Sequence, residues 1–514
     1  QISGGEYNIA IGNYSLDANT SGDYNVAVGY NSLTENTTGE KNTALGYEAL
    51  RFNTTGGTNT AIGFASLANN TVGEGNTALG PWSLASNTVG GQNTALGWGA
   101  LRLNSTVHYN TAIGAQALWS NTTGSSNTST GFASLRSNTT GENNTAVGAN
   151  ALYSNTTASY VTALGGNALK ANTTGSGNTA VGTNAMESNT TGASNTVMGW
   201  NALVTNTTGS NNLAMGVNTM FYNTTGYKNV ALGDYGLWAN TEGMENVAIS
   251  GNGSLYKNTT GSQNIAIGAA SLYNNETGNY NIAIGRSSLY SNTASNNVGI
   301  GHESLKSNTT GTDNVGVGYK ALNATTTGKD NAALGREALM SNTTGDYNIA
   351  IGSGALLTST TADQNVAIGY GAMYYNSTGE SNVGIGVRAL RSNTTGSNNT
   401  ATGDNALYAN TTGNYNTAIG RYSLYSNTEG EQNTALGWEA LKSNTTAYYN
   451  TAIGNVSMFY NTEGSANTAI GASSMALNTI GVNNVALGYK SLLSSKTGSR
   501  NVALGYKSLG LTLG

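Results

Sequence analysis

His108 and His302 are the only histidines of a 514-residue chain that contains no cysteine. A Ser-His-Asp or Cys-His centre needs its groups in contact, and a zinc site needs several ligands gathered together. Two lone histidines predict neither, so both are read as surface residues. The 71 glycines invite a phosphate-loop reading, but no G-x-x-x-x-G-K-[ST] occurs. The G-G-x-G-x-D turns of calcium-binding β-rolls are missing too. Glu35, Glu48, Glu337 and Glu439 fall at variable positions and read as solvated surface. No enzyme activity, metal or cofactor is expected.

Binding chemistry is better represented. Asn36, Asn121, Asn206 and Asn393 each begin an N-x-[ST] glycosylation acceptor. The same segments recur so regularly that turn formation by Asn and Thr is the favoured reason for them, with sparse glycosylation as the alternative. Aromatic residues also recur in phase. Trp119, Tyr153, Trp238, Tyr273, Tyr290, Tyr408 and Tyr425 share one phase and alternate there with Arg and Lys, which predicts an exposed edge. They either stabilise a ladder by stacking on one another or offer platforms to sugars or a partner chain. Recurrent Thr leaves a flat ice-binding face as the least favoured reading.

The elements that must position these residues follow from a repeat. Asn8 to Tyr24 is rewritten from Asn25, Asn42 and Asn59 onward to Asn501, with the consensus N-T-A-I-G-x-x-A-L-x-x-N-T-T-G-x-x over seventeen positions. A short fixed period signals stacked repeats, not separate domains. The seventeen positions are numbered from that first Asn. Position one is Asn except at Val161, position five is Gly except at Ser250, and position nine is always Leu or Met. Position three is almost always Ala, elsewhere Ser129, Gly299, Gly316 or Gly384, with Val197 the one larger residue. Two one-residue irregularities, near 250 and near 294, fall beside turns, which absorb them without flipping a strand's faces.

Seventeen residues cannot hold two helices and their turns, and the β-branched run at positions two to four favours extended chain. The predicted fold is all-β: a parallel β-solenoid, or β-roll, of about thirty coils over residues 1–514 as one continuous array with both ends uncapped. At about 4.8 Å per coil such a rod would reach about 140 Å and hold the two histidines about 58 Å apart. Positions four and nine are expected to form the apolar core, with Thr130 and Thr402 as polar intrusions needing hydrogen-bond partners. A second short extended piece is expected around position nine, and the glycine at position fifteen is expected to supply a positive φ. Asn ladders at positions one and twelve would bond amide to amide along the stack. For small position three, close approach of another chain or of another wall of the same coil stands equally with an inward Ala in a very thin coil.

The N-T-A-I-G core, as in Asn59 to Gly63 and Asn416 to Gly420, resembles the N-S-V-A-I-G repeat of YadA-type trimeric autotransporter adhesin heads, and similar repeats occur in phage tail fibres. The present coil is a few residues longer than that family's usual one, through its N-T-T-G segment. The resemblance implies a left-handed coil, a homotrimer, and an extracellular, cell-surface or virion-fibre location. A non-enzymatic adhesive role is implied with these.

A net charge of −5, with Lys and Arg scattered singly, gives no nucleic-acid footprint. No apolar run approaches a membrane span. The expected function is a self-associating extracellular structural fibre, adhesive or spacer in role, able to join end to end as a filament. The alternatives are a multivalent rod that binds surface carbohydrate and, last, an ice-binding solenoid.

Overall fold

The structure is a computed structural model and describes residues 4–510. The terminal residues on which the expectation of uncapped ends bears most directly, 1–3 and 511–514, lie outside that range. The chain forms two compact units, Gln1–Ser262 and Gln263–Gly514. The first carries strands β1 (Ile9–Ile11) to β15 (Val247–Ile249) and the second β16 (Ile265–Ile267) to β30 (Val502–Leu504). Each repeat contributes one three-residue strand, at positions two to four, and no helix occurs among the described residues.

Within each unit the strands pair in parallel with like positions in register. Thr60, Ala61 and Ile62 lie against Thr77, Ala78 and Leu79 in the first unit, and Val485, Ala486 and Leu487 against Val502, Ala503 and Leu504 in the second. This is the parallel β-solenoid that the seventeen-residue period predicts. The irregular coil that contains Ser250 and Gly251 begins at Asn246, and the first unit ends within it, at Ser262.

The core differs from expectation. From the second strand onward position three is buried, whereas positions two and four are half-buried or exposed in every strand. Leu45, Met198 and Leu334, all at position four, are 46, 48 and 51 % exposed. The interior consists of Ala at three, Ala or Ser at eight and Leu or Met at nine, walled by the asparagines of positions one and twelve. The coil is therefore very thin, and the inward-Ala reading of position three is the one it follows. Leu nine packs opposite, so a larger residue at position three crowds the interior, and Val197 is the one that is accommodated there. Thr130 and Thr402 are half-buried on the outward face, not intrusions into a core.

Position nine lies in a turn, not in a second strand. Leu50, Leu152 and Leu390 there have φ of 52°, 52° and 51°. A left-handed backbone is costly for any residue with a Cβ and most costly for β-branched ones. An inward position that wants a large apolar side chain yet disfavours Val and Ile selects Leu and Met, the only two that occur there. Positions seven and seventeen are left-handed as well, for example Asn405 (φ 54°) and Tyr415 (φ 57°).

The two recurrent glycines have different causes. At position five, Gly46 has φ 137°, and a Cβ would fall 2.5 Å from the Gly63 carbonyl oxygen one coil on. At position fifteen, contrary to expectation, φ is not positive. Crowding is the constraint there, since a Cβ on Gly56 would lie 2.6 Å from Asn53 Oδ1.

Candidate functional site

The asparagine ladders close the turns. At position twelve, wherever asparagines succeed one another as at Asn189 and Asn206, the side-chain amide donates to the Oδ1 of its counterpart one coil back and to the carbonyl of its own position-fifteen residue. Asn206 Nδ2 donates to Asn189 Oδ1 at 2.7 Å and to Gly209 O at 2.9 Å. Asn36, Asn121 and Asn393 repeat the pattern. All four are fully buried. A glycan would need the very nitrogen that holds the ladder, so the folded coil leaves these acceptors inaccessible, in keeping with the turn-forming reading of N-T-T-G.

At position one the side-chain oxygen accepts the backbone N–H of the next coil, as in Asn59 N to Asn42 Oδ1 at 2.9 Å, while the amide donates across the coil, as in Asn59 Nδ2 to Gly73 O at 2.8 Å. Buried amides are tolerated in so thin a coil because these bonds satisfy them.

The aromatic residues form ladders along the outside. Trp119, Tyr153, Trp238, Tyr273, Tyr290, Tyr408 and Tyr425 are all half-buried. Tyr273 stacks on Tyr290 with centroids 5.3 Å apart and planes 11° from parallel, and Tyr408 on Tyr425 at 5.1 Å and 14°. Trp238 stacks on Tyr256 at 4.9 Å. Trp119 lies 5.2 Å from Trp98 with Arg102 4.7 Å from its centroid, and Tyr153 accepts a hydrogen bond from Arg136 at 2.7 Å. In the parallel-stacked pairs the rings cover one another's faces. A sugar platform needs a free face, so these pairs offer edges and hydroxyls instead. Position six behaves likewise where aromatics succeed one another, as in Tyr30, Tyr47 and Phe64.

Charged side chains pair locally. Lys306 donates to Glu303 at 2.7 Å and by that bond holds its carboxyl below the usual carboxylate range; partial burial opposes the shift, and Lys306, His302 and Lys320 reinforce it through their charge. His302 stacks on Tyr319, and His108 accepts the Gly91 N–H at 2.9 Å. Among the described residues no three His, Cys, Asp or Glu come together in a way that could hold a metal, and no helix is long and apolar enough to cross a membrane.

The surface that hydrophobic patterning missed is the strand face itself. Positions two and four turn outward in both units, and neither carries a charged residue in any strand. In the first unit the Thr rank runs unbroken at position two from Thr43 to Thr196, beside an aliphatic rank at position four interrupted by Thr130. The chain's 45 Lys, Arg, Asp and Glu residues all lie elsewhere on the coil. Restriction at position three was the available signal: a strand whose small residue hardly varies while its large ones exchange freely among Ile, Leu, Val, Met and Thr has its tight side at the small residue. Neither a known protein-family model nor any curated protein matches this chain.

Proposed function

We propose that the protein is the body of a self-associating extracellular structural fibre, adhesive or spacer in role, in which like chains pack their strand faces against one another. The observation that supports this is the bare, charge-free face at positions two and four. All-parallel sheets are ordinarily covered on both sides, and here, among the described residues, no other part of the same chain covers the outward side. Fifteen strands at about 4.8 Å, with two side chains about 10 Å across, give a stripe on the order of 700 Å² in either unit. That area approaches the roughly 800 Å² per partner of a stable interface, its aliphatic part being the position-four rank and, in the second unit, much of position two. Self-association thus rests on the outward face, not on the small residues of position three.

Three chains are the number that the resemblance to trimeric adhesin heads implies. Such a fibre body needs no catalytic group, and whatever contacts its edges make are multiplied over its repeats and across its chains, so weak contacts sum to avidity.

The test is to place charge on the face. Leu45→Lys, Leu79→Lys and Leu96→Lys together change outward side chains only, so the coil should fold while the assembly dissociates. Unchanged mass by light scattering in the triple variant would remove the face from the interface.

A further inference from the structure

The second unit carries a notch between adjacent coils at two position-seven glycines. Gly354 and Gly371 occupy position seven in successive coils, where most coils carry a side chain, and an open cavity of about 290 Å³ lies there, lined by Arg336, Glu337, Ser353, Tyr370, Tyr374 and Arg391 among others. Two position-seven glycines, one outside the notch and one within it, are covered by a ring from the next coil. At Gly99 the Trp119 ring occupies the space of the absent side chain, and at Gly354 the edge of Tyr374 comes within 3.3 Å of where a Cβ would stand. At Gly371 the nearest atoms would be 3.9 Å away. The residue one coil on at position ten is there Arg391, which points its guanidinium among Tyr374, Tyr375 and Tyr408 instead of covering the glycine.

Two guanidinium groups, those of Arg336 and Arg391, border this space together with the Glu337 carboxylate. Arg336 is 68 % exposed and meets Glu337 through one nitrogen at 3.3 Å, leaving most of its fork unpaired. Arg391 donates to Tyr408 Oη at 3.1 Å. Tyr370, 58 % exposed, differs from the laddered aromatics. Arg388 lies 6.0 Å from its centroid, no ring stacks on it among the described residues, and the position-six residue before it is Ser353, too small to cover a ring face. Here an aromatic face is uncovered, beside a guanidinium fork and next to the open backbone at Gly371.

From this arrangement we infer that the Gly354–Gly371 notch binds a carboxylated sugar: the pyranose C–H face lies on Tyr370 above Ser353, and the carboxylate takes the free donors of Arg336, with Arg391 at the far edge. Arg forks pair carboxylates bidentately. The volume sits at the lower end of ligand pockets, about 300–1,000 Å³, which matches one sugar ring. The inference is independent of the fibre reading, because the notch lies on the position-six and position-ten edge and not on the strand face.

The test is saturation-transfer NMR and calorimetry on the full chain with methyl glucuronide, methyl glucoside and sodium sulfate as probes. Methyl glucuronide should bind at least tenfold more tightly than methyl glucoside, and sulfate at equal concentration should not displace it. Gly371→Asn should weaken binding at least tenfold by filling the notch. It should also fold, since Asn405 and Asn218 occupy position seven at φ 54° and 51° against 60° for Gly371. Arg336→Gln, a change at an exposed side chain, should weaken glucuronide binding equally while leaving the weak glucoside binding unchanged. Equal binding of both glycosides, displacement by sulfate, no binding by the unaltered chain, or full affinity in both variants would each overturn the inference.

Discussion

Asn342 Oδ1 is buried without a hydrogen-bond partner, and the residue one coil on, where an asparagine amide would reach it, is Ser359. The same pairing recurs at Asn308 with Thr325 and at Asn478 with Ser495. Each orphaned oxygen sits one coil before a break in the position-twelve ladder, because Ser and Thr are too short to span the distance that Asn bridges at 2.7 Å between Asn206 and Asn189. An unsatisfied buried acceptor costs about 1–3 kcal/mol.

Ser359→Asn and Thr325→Asn should therefore stabilise the protein, each by about 1 kcal/mol from one restored ladder bond. Chemical denaturation of the two single variants and the double variant checks this. A lower midpoint for either would show that the shorter residue is held by packing and not merely tolerated.

The reverse substitution in an intact run should be costly. Asn206→Ala removes the donor to Asn189 and to Gly209 and the acceptor for Asn223, and should destabilise by about 1–3 kcal/mol. Asn206→Asp keeps the acceptor but sets a carboxylate against Asn189 Oδ1, so it should be at least as harmful at neutral pH. A near-neutral Ala variant would contradict the ladder's role.

Position nine separates shape from hydrophobicity. Leu152 is fully buried with φ 52°. Leu152→Met should cost under about 1.5 kcal/mol, whereas Leu152→Ile, of equal volume, should cost more because a β-branched residue resists a left-handed backbone. Equal melting temperatures for the two variants would mean that the turn relaxes freely.

The period, the parallel stack, the register and both asparagine ladders were legible from Asn8 to Tyr24 and its copies, because identical residues at a fixed spacing can only become ladders. The core was misassigned because T-A-I alternates, and alternation alone does not say which face is inside. Apolarity favours Ile62 over Ala61, but the coil is too thin for both Ile62 and Leu67 to enter, and thinness arises from the left-handed turns at positions seven and nine, which the sequence does not display. The notch was hidden for a related reason: Gly354 and Gly371 read as two more glycines until the residues one coil on, Tyr374 and Arg391, are placed above them.

Glu303 gives the pH prediction. Its carboxyl is held below the usual range, first by the Lys306 hydrogen bond, so the folded state binds this proton less readily than the unfolded chain. The stabilisation is then present above the unfolded-state pKa and is lost as pH falls through the lower folded-state value. Because the pair lies at the surface, its contribution should be small and screened by salt. The stability difference between the unaltered protein and Glu303→Gln should shrink on acidification and in high salt; a difference that grows on acidification would reverse the assignment.

The central claim, that the charge-free strand face is covered by like chains, is tested most directly by sedimentation equilibrium of the isolated full chain at micromolar concentration. The account predicts a mass that is a whole multiple of 52.4 kDa, three times if the trimer that the resemblance implies is correct. A single species at 52.4 kDa, stable across the concentration range with positions two and four open to solvent, would contradict it.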